Sequence, residues 1–374
     1  MELYMVDKSD AVYCSKVNTM SGVRYPEVRV VLVGIGAIGS EIARLLLRKT
    51  GVSIVGAVDP APDKAGRDLG DVIGVSEKLG VMVVKNVDEL NVDADVAIHA
   101  TTSFLDKAYP QIVELLEHGF NVISTCEELS YPYIVDEGLA KSLDEFARKH
   151  NVTILGTGIN PGFIMDTLVI VLTAVCQDIR RINVERVMDA GRRRLQFQKK
   201  IGAGLTLEEF RKKISSGEIT GHVGLRQSIA LIADALRWKL DRIVEEPVKP
   251  ILADREVASS FIIVKPGSVA GLNQIAYGMY RGEPVITLDF KAYIGASEEY
   301  DSIIIEGIPT IREKISPCIH GDIGTAAIVV NSIPKVLNAP PGLKTMKDLQ
   351  IPSAVLEDMR LYIDEKFHPR IRLT

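Results

Sequence analysis

Three stretches of this chain carry residues whose types and spacing can do chemistry. The first is Gly34-Ile35-Gly36-Ala37-Ile38-Gly39, set between the apolar run Val28–Val33 and a helical pattern; a second apolar run, Val52–Val58, then ends on Asp59. In that order each glycine has a task. Gly34 permits the tight turn out of a strand, Gly36 lets a pyrophosphate approach the backbone, and Gly39 lets the helix pack close to the strand. The free N–H groups of a helix opening at Ala37 and Ile38 face the phosphates. Asp59 stands 20 residues beyond Gly39, where a carboxylate accepts hydrogen bonds from a ribose diol. The chemistry expected here is the binding of a dinucleotide.

The second stretch is Cys126-Glu127-Glu128, after the apolar run Asn121–Thr125. Side chains alternate along a strand, so at most one of Glu127 and Glu128 is expected to face a cleft. The third is Gly156-Thr157-Gly158-Ile159-Asn160-Pro161-Gly162, a second glycine-rich turn at a strand end. The proline restricts the backbone of Asn160, whose amide is placed to meet a nicotinamide carboxamide or a substrate. Thr101, Thr102 and Ser103 end another apolar strand, Ala94–Ala100, and are expected to border the cofactor. The Arg- and Lys-rich run Arg192-Arg193-Arg194 to Lys199-Lys200 is either a solvated face or a grip for a carboxylate. His222 and His320 lie in glycine-bearing loops and are the histidine candidates for the pocket. Lys64 and Arg67, in the loop after Asp59, stand where a 2′-phosphate would fall; Asp59 would repel one, so NAD is favoured over NADP.

These residues need a frame of alternating strands and helices. Strands are expected at Gly80–Lys85 and Val152–Leu155 besides those named, with helices at Tyr109–His118 and Asp136–His150. That alternation predicts an α/β domain with a parallel sheet and ligands beyond its carboxyl edge. It stops at Phe163–Cys176, read as a bridging helix. Beyond it, Arg181–Val187, Lys249–Ala253, Val257–Lys265, Leu272–Tyr280, Pro284–Tyr293 and Asp301–Glu306 read as strands, with a hairpin turn at Arg281-Gly282. Helices are expected from the capping box Thr206-Leu207-Glu208-Glu209 to Ser215 and over Leu225–Lys239. Thr325–Leu337 is apolar on most faces, so it is expected to be buried by packing back on the first domain; Val355–Glu365 reads as a charged helix. The organisation expected is an extension over 1–27, a Rossmann dinucleotide-binding domain over 28–162, an α+β substrate and oligomerisation domain over 163–316, and a C-terminal helical segment over 317–374.

Composition narrows the class. The chain has 374 residues, enough for two domains, and a net charge of −5, which gives no basic surface for nucleic acid or anionic membranes. The longest apolar run, Phe163–Val175, contains Asp166 and is too short to span a bilayer. Residues 1–27 have no apolar core of the signal-peptide kind and read as a surface extension. Four scattered cysteines, Cys14, Cys126, Cys176 and Cys318, read as reduced thiols of a cytoplasmic protein. No HExxH or other metal-ligand spacing and no GxSxG elbow occurs.

The runs VRVVLVGIGAIG, DKAGRDLG, NVISTCEELSYP, GTGINPGF and HGDIGTAA with APPGLKTMKDL resemble the 2,4-diaminopentanoate dehydrogenase and native amine dehydrogenase family, over about Val28 to Pro352. The wider superfamily is that of dihydrodipicolinate reductase, whose His-His…Lys signature is absent. The resemblance implies NAD(P)-dependent oxidative deamination of an amine that is not alpha to a carboxylate, or reductive amination in reverse, with ammonia and a small carbonyl compound as partners in a homo-oligomer. It implies a general base at Glu127, with Glu128 as second choice, and a pocket shaped by Asn160, Pro161, Arg193, His222 and His320. The stretch DAGRRRLQFQKKIGAG is closer to the simple-amine branch, and Gln227 stands where the diaminopentanoate enzymes carry an acid. Two rival readings are a reductase of the dihydrodipicolinate or homoserine dehydrogenase type that needs no ammonia, and a dinucleotide-binding protein without catalysis.

Overall fold

The computed structural model describes residues 27–364 and 366; the extension expected over 1–27 lies, save Glu27, outside the described residues, as do Cys14 and His368. The chain opens with β1 (Val28–Val33), α1 (Ala37–Leu46), β2 (Val52–Val58), α2 (Leu69–Ile73), β3 (Val83–Val84), β4 (Val96–His99), α3 (Leu105–Glu117), β5 (Asn121–Ser124), α4 (Glu137–Lys149) and β6 (Thr153–Gly156). It continues through α5 (Thr167–Thr173), β7 (Asp178–Asp189), α6 (Leu195–Lys200), α7 (Leu207–Ser215), α8 (Leu225–Ala235), β8 (Arg242–Glu245), β9 (Lys249–Leu252), β10 (Val257–Ala258) and β11 (Ile263–Val264). The last elements are β12 (Val269–Tyr280), β13 (Glu283–Tyr293), β14 (Tyr300–Ile308), β15 (Ile311–Ile315), α9 (Gly321–Leu337) and β16 (Gly342–Lys344).

The first sheet runs in the order β16-β6-β5-β4-β1-β2-β3, and every pairing in it is parallel. Such strands are buried on both faces: β4 and β6 are buried throughout, and β1 nearly so. Ile42, Ala43 and Leu46 of α1 pack with Ile328, Val329 and Val336 of α9 on one face. Leu105, Ile112 and Leu115 of α3 and Leu143 of α4 fill the other. The order reverses between β1 and β4, so the glycine turn after β1 and the Ala100–Ser103 loop after β4 open a crevice at the carboxyl edge.

The second sheet runs β15-β14-β7-β13-β12-β8, with β9 also paired to β12. Only β7 and β13 pair in parallel; the other pairings are antiparallel. Ile286, Leu288, Phe290 and Ala292 point inward at period two and meet Ile229 and Ile232 of α8. At the β12–β13 hairpin, Arg281 and Gly282 both take positive φ, 53° and 82°, the twist-matched turn for two-residue loops.

Several expected boundaries are corrected. Of Gly80–Lys85 only Val83–Val84 pairs with β2. Val257–Lys265 is a small hairpin, because Ser259 Oγ accepts the Phe261 and Ile262 N–H groups and turns the chain. The Tyr109–His118 helix begins four residues earlier, at Leu105, with Pro110 inside it. The Phe163–Cys176 helix is shorter: Asp166 accepts from Gly162 and Thr167 N–H and starts α5 only at Thr167. Leu225–Lys239 ends at Ala235, and Arg237 takes φ +56° just beyond. The apolar helix starts at Gly321 rather than Thr325, with His320 as its N-cap. Of the expected helix Val355–Glu365, the described part holds one 3₁₀ turn, Met359–Tyr362, since the Asp358 carboxylate is drawn into bonds with Arg360. β8, β15 and β16 are strands of three to five residues that the sequence pattern does not mark.

Candidate functional site

The glycine turn is shaped by close approach. Gly34 takes φ +88°, and a Cβ there would stand 2.6 Å from Ala100 O; a Cβ on Gly39 would stand 2.0 Å from Gly34 O. Gly36 differs, because a Cβ there would meet nothing within 4 Å; it faces open space. Gly36 is also the N-cap of α1 and brings no side-chain cap. The first N–H groups of the helix are therefore left for a ligand, at the positive end of its dipole. Two cavities meet here, of about 380 and 480 Å³, sharing Gly36, Ala100 and Thr101. Two chambers joined over a bare glycine and a helix N-terminus fit the two halves of a dinucleotide.

The second chamber holds Asp59. Its Oδ2 accepts from Ile35 N and Lys64 Nζ, both at 2.8 Å, and its Oδ1 accepts from Ala61 N at 3.0 Å. Burial alone would raise the carboxyl; the Lys64 ammonium and the two backbone N–H groups outweigh it and hold the pKa below the ordinary range. Arg67 does not line either chamber. It is exposed and donates to Asp63 O at 2.9 Å.

The first chamber lies over the carboxyl ends of β4, β5 and β6. Gly36, Ala37, Ile38, Thr101, Thr102, Ser103, Glu127, Asn160 and Pro161 line it. Cys126-Glu127-Glu128 does not continue the strand as expected: β5 stops at Ser124, and Glu127–Ser130 is a 3₁₀ turn. One acid still faces the cleft, but for a different reason. Glu128 Oε2 accepts the Leu105 N–H at 2.7 Å and so caps α3, which turns Glu127 to the cavity. Burial raises the Glu127 pKa; its own backbone N–H, the Lys200 ammonium and a Ser103 hydroxyl bond oppose this without cancelling it. A half-buried carboxyl with a raised pKa, beside the glycine turn, is of the kind that takes and returns protons.

The opposite wall comes from the second sheet and its helices: Arg186 and Met188 of β7, Phe290 of β13, Arg193 and Arg194, Phe197 and Lys200 of α6, with His222. Arg193 Nη2 lies 2.8 Å from Asp322 Oδ1, and its guanidinium sits 4.4 Å over the Phe197 ring. Arg186 Nη1 lies 2.6 Å from Asp301 Oδ1, both about 1% exposed. His222 stacks on Phe290 at 4.4 Å, and its Nε2 is 3.1 Å from Asn160 Nδ2. Burial, then Lys200 and Arg186, push its pKa down to about 3, so the ring is neutral. His320 is not brought to the cavity; its Nδ1 accepts from Ile323 N at 3.5 Å and caps α9. Gln227 is buried in α8, away from the lining.

Sequence reasoning overlooked Arg186, Phe290 and His99. The available signal for Arg186 was a charge in register with Ile182, Val184 and Met188 on the core-facing side of β7. His99 is fully buried at the end of β4: Nδ1 meets Ser124 Oγ at 2.8 Å, and Nε2 meets Gln111 Oε1 at 2.9 Å and Thr101 Oγ1 at 2.8 Å. Burial pushes its pKa down to about 4. It ties Thr101 to the turn that carries Glu127, since Ser124 Oγ also accepts the Cys126 N–H. Among the described residues no cluster of three or more His, Cys, Asp or Glu is placed to hold a metal, and no helix is long and apolar enough to cross a membrane.

Comparison with known proteins completes the picture. Residues 163–365 match the model of the 2,4-diaminopentanoate dehydrogenase C-terminal domain, and residues 28–126 match that of the dihydrodipicolinate reductase N-terminus. The chain is 38% identical over 347 residues to the 2,4-diaminopentanoate dehydrogenase of Acetoanaerobium sticklandii, covering 91% of this chain and 98% of that one. Among solved structures it is similar to an amine dehydrogenase from Mycobacterium smegmatis, with TM-score 0.78 and 27% identity over 88% of this chain and 98% of that one. It shares its fold with GenD2 of gentamicin A biosynthesis, solved with NAD, at TM-score 0.50 and 15% identity over 88% and 93% of the two chains.

Proposed function

The chain belongs to the 2,4-diaminopentanoate dehydrogenase family and is an NAD(P)-dependent oxidoreductase of CH–NH₂ groups; on that premise we propose that Glu127 is its proton-transferring base and that the cleft takes an amine bearing a carboxylate. The observation that carries the reading is Glu127 itself, a carboxyl with a raised pKa in the chamber that the glycine turn opens.

When bound, the nicotinamide accepts the hydride in deamination and returns it in amination. Gly36 and the N–H groups of Ala37 and Ile38 would hold its phosphates, and Thr101, Thr102 and Ser103 would border its nicotinamide side. The Glu127 carboxylate takes a proton from the substrate ammonium and passes it to solvent, leaving an amine whose carbon can lose hydride. The resulting iminium is attacked by water, whose proton Glu127 receives. The carbinolamine then collapses: the C–N bond breaks, and ammonia leaves with that proton as ammonium. The balance is amine cation, oxidised cofactor and water to carbonyl, ammonium, reduced cofactor and one proton. Amination runs the same steps backward.

Four cations line the chamber, Arg186, Arg193, Arg194 and Lys200, against the acids Glu127 and Asp322. Asp301 and Asp322 answer Arg186 and Arg193. Arg194 Nε is buried without a partner. Arg194 and Lys200 therefore suit an anionic group on the substrate, remote from the reacting nitrogen. Asp59, set to accept from the ribose, favours NAD, because its charge opposes a 2′-phosphate.

The test is oxidation of NADH and of NADPH with a panel of neutral ketones and keto acids, with and without ammonium. Ammonium-dependent turnover, faster with NADH and with keto acids, is expected. Turnover that is indifferent to ammonium overturns the reading.

A further inference from the structure

Within the first chamber one amide has its orientation dictated by its neighbours. Asn160 Nδ2 lies 3.1 Å from Met165 Sδ and 3.1 Å from His222 Nε2. A thioether sulfur can only accept, so the amide turns its NH₂ toward Met165. His222 Nε2 must then be the acceptor of the second N–H, which places the imidazole proton on Nδ1 and requires a neutral ring. The surroundings impose that state, since burial and the Lys200 and Arg186 charges hold the ring pKa at about 3.

The ring is also fixed in place. It stacks on Phe290 at an interplanar angle of 16°. Its backbone N–H donates to Gln274 Oε1 at 2.8 Å, and Gln274 Nε2 donates to His222 O at 3.2 Å and to Glu245. With both its N–H groups engaged, Asn160, which lines the chamber, keeps its side-chain oxygen buried without a protein partner. A buried acceptor left unpaired is destabilising, so its natural complement is a donor on a ligand.

The charged side chains of the chamber are mostly donors. Arg186, Arg193, Arg194 and Lys200 only donate, and Asp322 is already held by Arg193. An ammonium ion has four N–H donors and the ammonium of an amine has three, more than the one carboxylate of Glu127 orients, and a buried amide oxygen without a partner is a fitting second acceptor. We propose that Asn160 Oδ1 and the Glu127 carboxylate together form the ammonium-binding site, with His222 as the residue that positions the Asn160 amide. The site takes free ammonium in amination and the substrate's own ammonium in deamination. It rests on the amine dehydrogenase reading given above and adds a second, neutral acceptor, which orients the nitrogen without competing for its proton.

The experiment is reductive amination at saturating ketone and NADH with ammonium chloride titrated, beside NADH binding followed by fluorescence. Asn160→Ala should raise the KM for ammonium about tenfold or more, while the KM for the ketone and the Kd for NADH stay within about twofold. His222→Phe keeps an aromatic ring against Phe290 but removes the acceptor, and should raise the same KM; His222→Gln, which restores an acceptor, should recover part of the loss. The His222 pair keeps the test decisive if Asn160→Ala does not fold. A rise in the NADH Kd with ammonium KM unchanged would assign the Asn160 oxygen to the nicotinamide carboxamide and overturn the proposal. Equal changes in all three constants, or no rescue by glutamine, would overturn it as well. If the wild type turns over without ammonium, the amine dehydrogenase reading fails; if wild type needs ammonium and these variants leave its KM unmoved, only this inference fails.

Discussion

The two walls of the cleft are built by different means. The wall on the parallel sheet consists of strand ends: the glycine turn after β1, Thr101–Ser103 after β4, Glu127 after β5 and Asn160 after β6. Its shape is set by backbone, through a glycine at φ +88°, a helix N-terminus and short turns, each encoded within a few consecutive residues. The facing wall brings Arg186, Arg193 to Lys200, His222 and Phe290 from distant parts of the chain. It is held by side chains, in the pairs Arg186–Asp301 and Arg193–Asp322 and the stack of His222 on Phe290. The first wall can therefore lose a chemical group and keep its shape. The second cannot lose Arg186 or Arg193 without taking the cationic partner from an acid.

The largest expected effect tests the first half of that contrast. Glu127→Gln should lower kcat by about 10²–10⁴-fold, the range of a lost general base, with NADH binding within about twofold and thermal stability held or improved, since a buried carboxyl is removed. Loss of cofactor binding in this variant would mean that the first wall also depends on its side chains.

Next in size is Arg186→Met. Asp301 would remain buried with its main cationic partner gone, and breaking such a pair destabilises by about 3–5 kcal/mol. Arg186 also donates to Ile319 O, and Asp301 Oδ2 accepts Ile319 N at 2.9 Å, so the chain entering α9 should loosen with it. Chemical denaturation measures the loss. Arg186→Met with Asp301→Leu should recover much of it; a double variant as unstable as the single one would show that the pair is not what holds this wall.

The contrast also explains what was legible in the sequence. The glycine turn, Asp59, the strands β1, β2, β4, β5 and β6 and the capping box at Thr206 are local patterns, and each appears in the structure. The model of the dihydrodipicolinate reductase N-terminus matches residues 28–126, the stretch where backbone rules are strongest. Arg186 was passed over because alternation along β7 reports which face a residue is on, not that Asp301 waits across the strand pair to receive it. His320 was misjudged for a related reason: a loop histidine before a glycine reads as a pocket residue, yet its ring caps α9. Short strands such as β16 escaped because three residues carry no period.

A smaller effect separates adjacent acids. Glu128 holds the first N–H of α3, a capping role worth about 1 kcal/mol. Glu128→Ala should lower stability by about that amount, with kcat falling only a few-fold through a shift of the turn. If Glu128→Ala abolishes turnover and Glu127→Gln does not, the base is the neighbour and the 3₁₀ turn faces the other way in the working enzyme.

The smallest effect lies in the pH profile. The Ser103 hydroxyl and the Lys200 ammonium both favour the ionised form of Glu127 against the burial that raises its pKa. With Glu127 as the proposed base, deamination needs that ionised form, so its rate should fall as pH drops through the Glu127 pKa. Ser103→Ala removes a bond made to the charged state, so the pKa rises further and the acid limb of kcat moves to higher pH. The plateau above the limb should stay within about twofold, because the proton acceptor is unchanged once ionised. Lys200→Met should move the limb the same way and, on the proposal that its ammonium also meets the substrate's anionic group, should weaken keto acid binding. A limb that stays in place in Ser103→Ala would mean that the hydroxyl bonds the ligand instead of Glu127. Serine 103 would then belong with the cofactor-contacting strand ends, and the base would owe its tuning to the facing wall alone.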